Sequence, residues 1–199
     1  MAKPAATIAV LAGGRGSRLG GQKPSRLLAG RPLISHVLAA AGATGLPVVV
    51  VAKEDTPLPT LDTRLVLERD EPRHPLAGVV AALRAIPHDD DAGVVAIGCD
   101  MPFLTAPLLL RLAAADSAAA LQVGARLQPL PARYPLSALD RLERSVEAER
   151  PMREALASLS PLILDEADIG RYGDPFRLCF SVNDPQQLGL AESWLAEQS

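Results

Sequence analysis

The chain has 199 residues, 48% of them hydrophobic, with a net charge of −3 and two cysteines. That is enough material for one substantial core. It excludes a broad basic nucleic-acid footprint, a disulfide framework and a membrane-spanning helix, since no apolar run approaches about 18 residues. The N-terminus lacks the charged-then-apolar profile of a signal peptide, so a cytoplasmic protein with no membrane or nucleic-acid partner is expected.

The first predicted element is a buried strand over Thr7–Leu11. Five glycines within 13–21 (Gly13, Gly14, Gly16, Gly20 and Gly21) follow at once, and Arg15, Arg18 and Lys23 lie in or just after them. Such a loop can turn sharply and bring backbone N–H groups against a ligand, and the added cations neutralise oxyanions. A polyphosphate is the ligand that this combination suits. A Walker A loop is excluded, because Lys23 stands between Gln22 and Pro24. The dinucleotide fingerprint fails too, with Leu19 where its third glycine belongs. Lysine is scarce: only Lys3, Lys23 and Lys53 occur, against 17 arginines. One of the three therefore closes this loop, as a compact point charge suited to a phosphate oxygen.

Beyond the loop, helices and strands alternate. The apolar spacing predicts a helix over Ile34–Ala43, a strand over Val48–Ala52, a shorter strand over Arg64–Leu67 and a helix over Leu76–Ala85, with Gly78 giving a close approach. A buried strand follows over Gly93–Ile97, then a helix from about Pro107 to Ala115. Short connections in this order imply a parallel sheet with right-handed crossovers, an α/β fold. The second half is less regular. Strands are expected over Ala118–Val123 and Pro131–Tyr134, around a turn-rich Gly124–Pro129. Helices follow over Ser137–Glu147 and Pro151–Ser158, strands over Leu162–Leu164 and Leu178–Val182, and a closing helix over Pro185–Ala196. Asp165–Pro175 is the stretch expected to be most mobile. The whole of 1–199 reads as one domain, with the polar strand ends in about 1–115 and a less regular half over about 116–199.

Ligands of open α/β sheets sit at the carboxyl ends of strands. Three such ends carry polar chemistry: the glycine loop, Asp70 and Asp100. Asp100 follows a dry strand and faces the loop, which suits a Mg2+ ligand, since that ion takes one or two carboxylates plus substrate phosphates. Its competing role is the N-cap of the next helix. Asp70 stands among Glu68 and Glu71, so a solvated charged loop competes there; Asp89, Asp90 and Asp91 read as a solvated turn. His36 reads as a packed or surface histidine rather than a ligand; His74, close to Asp70, reads the same way, with a substrate role also open to it. Cys99 reads as a small buried residue. Asn183 opens the turn into the last helix, with a substrate role also open to it.

Taken together, these segments resemble the molybdenum cofactor guanylyltransferases of bacteria. Leu11-Ala12-Gly13-Gly14-x-x-x-Arg18-Leu19-Gly20 is similar to the family's opening signature, and Lys23 stands at its loop lysine. Asp70 with Pro75-Leu76-Ala77-Gly78 resembles the second motif, and Cys99-Asp100-Met101-Pro102 the metal-aspartate segment. Pro129–Tyr134 and Ser181–Pro185 resemble late substrate-side motifs. Gln22 departs from the family's aspartate before the lysine, His74 from a glycine and Val51 from an asparagine. The resemblance implies a single-domain three-layer α/β/α Rossmann-like nucleotidyltransferase fold with a mainly parallel sheet. It implies GTP and molybdopterin (or Mo-molybdopterin) as substrates, Mg2+ on Asp100, and other molybdenum cofactor proteins or acceptor apo-enzymes as partners. Catalysis falls to Arg18, Lys23 and Asp100; nucleotide binding falls to Leu11, Ala12, Gly13, Gly14, Lys23, Asp70 and Asp100, with the base against Leu11 and Ala12. A cytidylyl or sugar-phosphate nucleotidyltransferase, and a non-catalytic nucleotide-binding protein on the same fold, are the alternatives.

Overall fold

In the computed structural model, which describes residues 6–14, 23–71, 74–87 and 92–197, the β-branched runs become the middle of one sheet. β1 (Ala6–Leu11) pairs in parallel with β4 (Val48–Ala52) and β6 (Gly93–Gly98), and β4 pairs in parallel with β5 (Arg64–Leu67). Beyond β6 come β8 (Arg126–Pro135), β7 (Ala119–Val123) and β9 (Leu162–Leu164), giving the order β5-β4-β1-β6-β8-β7-β9. Only β8 runs against the others. A separate small hairpin joins β2 (Leu27–Leu28) to β3 (Arg31–Pro32). Its two turn residues, Ala29 and Gly30, both have positive φ (49° and 74°), as a two-residue hairpin turn demands.

Alternation along the central strands feeds two cores, one per face. Ile8, Val10, Val50, Val95 and Ile97 pack under α1 (Leu33–Gly42) and α3 (Ala106–Ala113). Ala9, Val49, Val51, Val94 and Ala96 pack under α2 (Pro75–Ala85), α4 (Leu139–Glu147) and α5 (Met152–Ala157). The three-layer α/β/α expectation holds. The strands are near-continuously apolar because both of their faces are covered. Each large aliphatic buried there contributes about 1.5–3 kcal/mol.

Three sequence expectations fail in the second half. Gly124–Pro129 is not a turn region: only Gly124-Ala125 turns, and β8 already starts at Arg126. The β7–β8 register jumps from Ala120↔Ala132 to Leu121↔Gln128, so 129–131 bulge out of the ladder. Pro129 reads as part of a turn, yet a bulge is where a strand accommodates proline. Tyr134 Oη donates to Pro129 O at 2.9 Å and latches the bulge. Leu178–Val182 is not a strand. Asp174 accepts from Arg177 N–H (2.8 Å) and caps α7 (Pro175–Leu178), which takes up the start of that segment. Asp165–Pro175 is not an irregular loop either. Asp165 accepts from Asp168 N–H (3.0 Å) to cap α6 (Glu166–Ile169), and Ile169 is fully buried in the core. Capping aspartates read as loop composition until their helices are seen. The closing α8 (Pro185–Ala196) has the expected bounds. Among the described residues no helix is long and apolar enough to cross a membrane.

Candidate functional site

The carboxyl ends of β5, β4, β1 and β6 open into a cavity of about 440 Å³. Backbone bonds carry the ladder past the strand ends and fix this floor: Ala12 N–H to Val51 O (2.7 Å), Cys99 N–H to Leu11 O (3.1 Å) and Glu68 N–H to Ala52 O (3.0 Å). Leu11, Gly13, Gly14, Lys23, Asp70 and Asp100 all line the cavity. Ala12 does not: it is 1% exposed, inside the core beneath the floor. Of Leu11 and Ala12, only Leu11 gives the cavity an apolar wall. Arg18 lies outside the described residues, as do Gln22 and Asp89–Asp91.

Lys23 sits in a short 3-10 turn (Lys23–Ser25) and points at the end of β6. Its Nζ donates to Asp100 Oδ2 at 2.5 Å and to Asn183 Oδ1 at 2.7 Å. Both members of the ion pair are mostly withdrawn from solvent, with side chains 15% and 13% exposed. Asn183 is itself held: its Nδ2 donates to Ser181 O (3.1 Å) and its N–H to Gln187 Oε1 (2.7 Å). Val182 N–H meets Asp100 O at 2.9 Å, which ties this late segment to the strand end. Asn183 therefore belongs to the site, and Asp184, not Asn183, caps α8.

Asp100 does not cap the next helix, which starts at Ala106 behind Thr105. Its other oxygen lies over Gly98, where a methyl group would overlap it. The carboxylate thus faces the cavity already holding a cation. No group of three or more His, Cys, Asp and Glu that could hold a metal occurs among the described residues. A single carboxylate facing an open cavity is compatible with Mg2+, an ion that takes one or two carboxylates and fills the rest of its shell with phosphate oxygens and water.

The far end of the cavity is different. Lys53, after β4, donates to Arg69 O (3.0 Å) and Asp70 O (3.1 Å) and lies 3.8 Å from Asp70 Oδ1. Asp70 is on the rim, its side chain 70% exposed. The carboxylate that turns inward is Glu68, which reads in the sequence as part of a solvated run. A methyl added to Gly13 would overlap it, and one added to Gly78 would lie 2.9 Å from its Oε2. Burial raises its pKa above the usual carboxylate value, Lys53 opposes this and Asp70 reinforces it. The one signal for Glu68 in the sequence was its place directly after a strand.

The packing reading of Cys99 holds, and the structure gives His74 a role that the sequence did not show. His74 Nδ1 accepts from Leu76 N–H (3.1 Å) and caps α2, while its ring also borders the cavity. His36 Nε2 lies 2.9 Å from Leu28 O. Cys99 is buried, and burial, followed by Asp100, pushes its thiol up to about 12 despite Lys23. Such a thiol is no nucleophile. The bulge of β8 brings Leu130 to the cavity wall, a contribution of the second half that periodicity did not reveal.

Comparison with known proteins agrees with this geometry. Residues 8–162 match the family model described as MobA-like NTP transferase domain. A molybdenum cofactor guanylyltransferase of Pseudomonas putida is 36% identical over 190 residues, covering 89% of this chain and 97% of the relative. Another, from Sinorhizobium fredii, is 30% identical and covers 94% and 90%. Among solved structures, the molybdopterin-guanine dinucleotide biosynthesis protein A of Archaeoglobus fulgidus superposes with a TM-score of 0.79 at 25% identity. That match covers 96% of this chain and 99% of the other.

Proposed function

This chain belongs to the MobA-like NTP transferase family, and from that premise we propose that it transfers GMP from GTP to the phosphate of molybdopterin, releasing pyrophosphate. The observation that carries the reading is the Lys23–Asp100–Asn183 assembly, set across from the Gly13-Gly14 loop at the carboxyl ends of parallel strands. It is a place for a triphosphate, because loop N–H groups and a fixed ammonium face a carboxylate able to share a cation.

An ionised oxygen of the acceptor phosphate bonds to the α-phosphorus of GTP. The bond from that phosphorus to the bridging oxygen breaks, and pyrophosphate leaves with the electron pair. The attacking oxygen is already ionised at neutral pH, so no strong general base is needed; catalysis is positioning plus charge stabilisation. Lys23 and Arg18 steady the α-phosphate and the departing pyrophosphate, together with the N–H groups of Gly13 and Gly14. Asn183 aims the Lys23 ammonium. Asp100 is the residue to hold Mg2+, and the bound ion supplies neutralisation of phosphate charge. Asp70, on the rim, is available to the ribose or to the acceptor. The second half, through Leu130 and Asn183, supplies the wall nearest the acceptor.

The test is direct. The purified chain is incubated with Mg2+, molybdopterin and each of GTP, CTP, ATP and UTP, and pyrophosphate release is followed. Release with GTP and molybdopterin is the expected result. Release with CTP alone, a requirement for a sugar phosphate, or tight nucleotide binding without turnover would each replace the reading by one of its alternatives.

A further inference from the structure

The cavity has a carboxylate that phosphate chemistry does not use. We propose that Glu68 reads the base, its two oxygens accepting from the N1–H and the exocyclic N2 amino group of guanine. This rests on the guanylyl-transfer reading above and names the residue that makes the transfer specific.

Glu68 follows β5, three strands from β6 and hence about 14 Å across the sheet from the Asp100 end. Its side chain turns back over the floor to lie against Gly13 and Gly78, both of which lack the Cβ that would displace it. Leu11 closes the third side: its Cδ2 would lie 3.3 Å from a methyl on Gly78, and Leu11 lines the cavity. The two bare glycines thus leave room for the Glu68 carboxylate itself, which is presented beside Leu11 at this end of the cavity. A side chain on either glycine would displace it from there.

The charge at this end is equally specific. Lys53 donates to the carbonyls of Arg69 and Asp70 and acts on Glu68 through its charge alone, while Asp70 stands exposed on the rim. Among the described residues no hydrogen bond or ion pair reaches the Glu68 carboxylate. A partly desolvated acceptor without a donor is a place where a ligand's donor belongs. Phosphate is repelled there and is served at the other end by Lys23.

The remaining question is which base. A carboxylate only accepts. Adenine and cytosine each offer one amino donor beside a ring acceptor, and uracil offers one N–H flanked by two carbonyls. Guanine alone offers two adjacent donors, which matches two oxygens of one carboxylate. Replacing the carboxylate by a carboxamide leaves an acceptor for N1–H but puts a donor opposite N2, which suits the carbonyl that xanthine carries there.

Calorimetric titration of the full chain with GTP, ITP and XTP in the presence of Mg2+ tests this, on the wild type, Glu68→Gln and Glu68→Ala. The wild type is expected to bind GTP about tenfold more tightly than ITP, which lacks the N2 amino group. E68Q is expected to lose about tenfold to a hundredfold for GTP and to move the GTP-to-XTP preference towards XTP by at least about tenfold. E68A is expected to lose GTP affinity without gaining XTP, and inorganic tripolyphosphate should bind all three proteins alike. An unchanged GTP-to-XTP ratio in E68Q, with wild-type turnover of GTP and molybdopterin intact, overturns the role of Glu68 and leaves guanylyl transfer standing. A wild type that prefers CTP overturns both.

Discussion

The two ends of the cavity solve opposite electrostatic problems with the same residue type. At the β6 end, Asp100 is neutralised by Lys23 at 2.5 Å, and Asn183 fixes the ammonium from the far side. At the β5 end, Lys53 is occupied by backbone carbonyls, and Glu68 is left to face inward with a raised pKa. A carboxylate held with a cation is ready to exchange partners with another cation or to release its lysine to phosphate. A carboxylate deprived of donors is ready to accept them from a ligand. The same side-chain chemistry thus suits a metal and a polyphosphate at one end and a neutral hydrogen-bonding base at the other, and the nearby lysine decides which.

This contrast can be broken by mutation. The largest effect is expected at Asp100: Asp100→Ala should lower kcat by about 10² to 10³, as removal of one strong electrostatic stabiliser does, while GTP stays preferred over CTP. Turnover assays with both nucleotides check it, and wild-type turnover in Asp100→Ala with Mg2+ present would remove the metal assignment. Asn183→Ala should cost less, about tenfold in kcat with KM for GTP little changed, because Lys23 keeps its charge but loses one of two partners. At the other end the split should reverse. Gly78→Ala pushes a methyl to within 2.9 Å of Glu68 and 3.3 Å of Leu11, so KM for GTP should rise by about fivefold with kcat nearly unchanged. If Gly78→Ala instead lowered kcat alone, the two ends would not be separate.

The smallest effect concerns stability and its sign. The folded state holds the Glu68 proton more tightly than the unfolded state does, because burial disfavours the charged form. Its stabilising contribution is therefore present below the unfolded pKa and lost as pH rises through the folded one. At pH 7 the ionised carboxylate is a cost that Glu68→Gln removes. The variant should melt higher than wild type at pH 7, by no more than about 2 °C given partial solvent screening, and the gap should close towards pH 4. Thermal melts across that range decide it.

Much of the first half was legible because its signals are local. The run Val48–Val51 is apolar at every position, which only a strand covered on both faces tolerates, and β4 lies between β1 and β5. The glycine loop and Asp100 could be read as strand-end chemistry for the same reason. The second half misled where local signals have two meanings. Pro129 read as a turn residue and Pro131 as a strand start, but both sit in a bulge, and Asp165 and Asp174 read as loop residues but cap short helices. Glu68 was hidden within Glu68-Arg69-Asp70-Glu71, a run that any exposed turn could carry.

The sequence by itself determined the alternation of strands and helices and the polar strand ends that carry glycine and charge, because periodicity, glycine content and charge act over a few neighbouring positions. Its motifs, in order, carried the resemblance to the family. Only the tertiary structure decided which carboxylate looks inward. Lys23 and Asn183 are 160 residues apart, while Gly13 and Glu68 follow two different strands and Gly78 lies in the first turn of α2. Their meeting depends on sheet order and on the direction each side chain leaves its strand. No local pattern encodes that; close packing of the sheet against its two helix layers does.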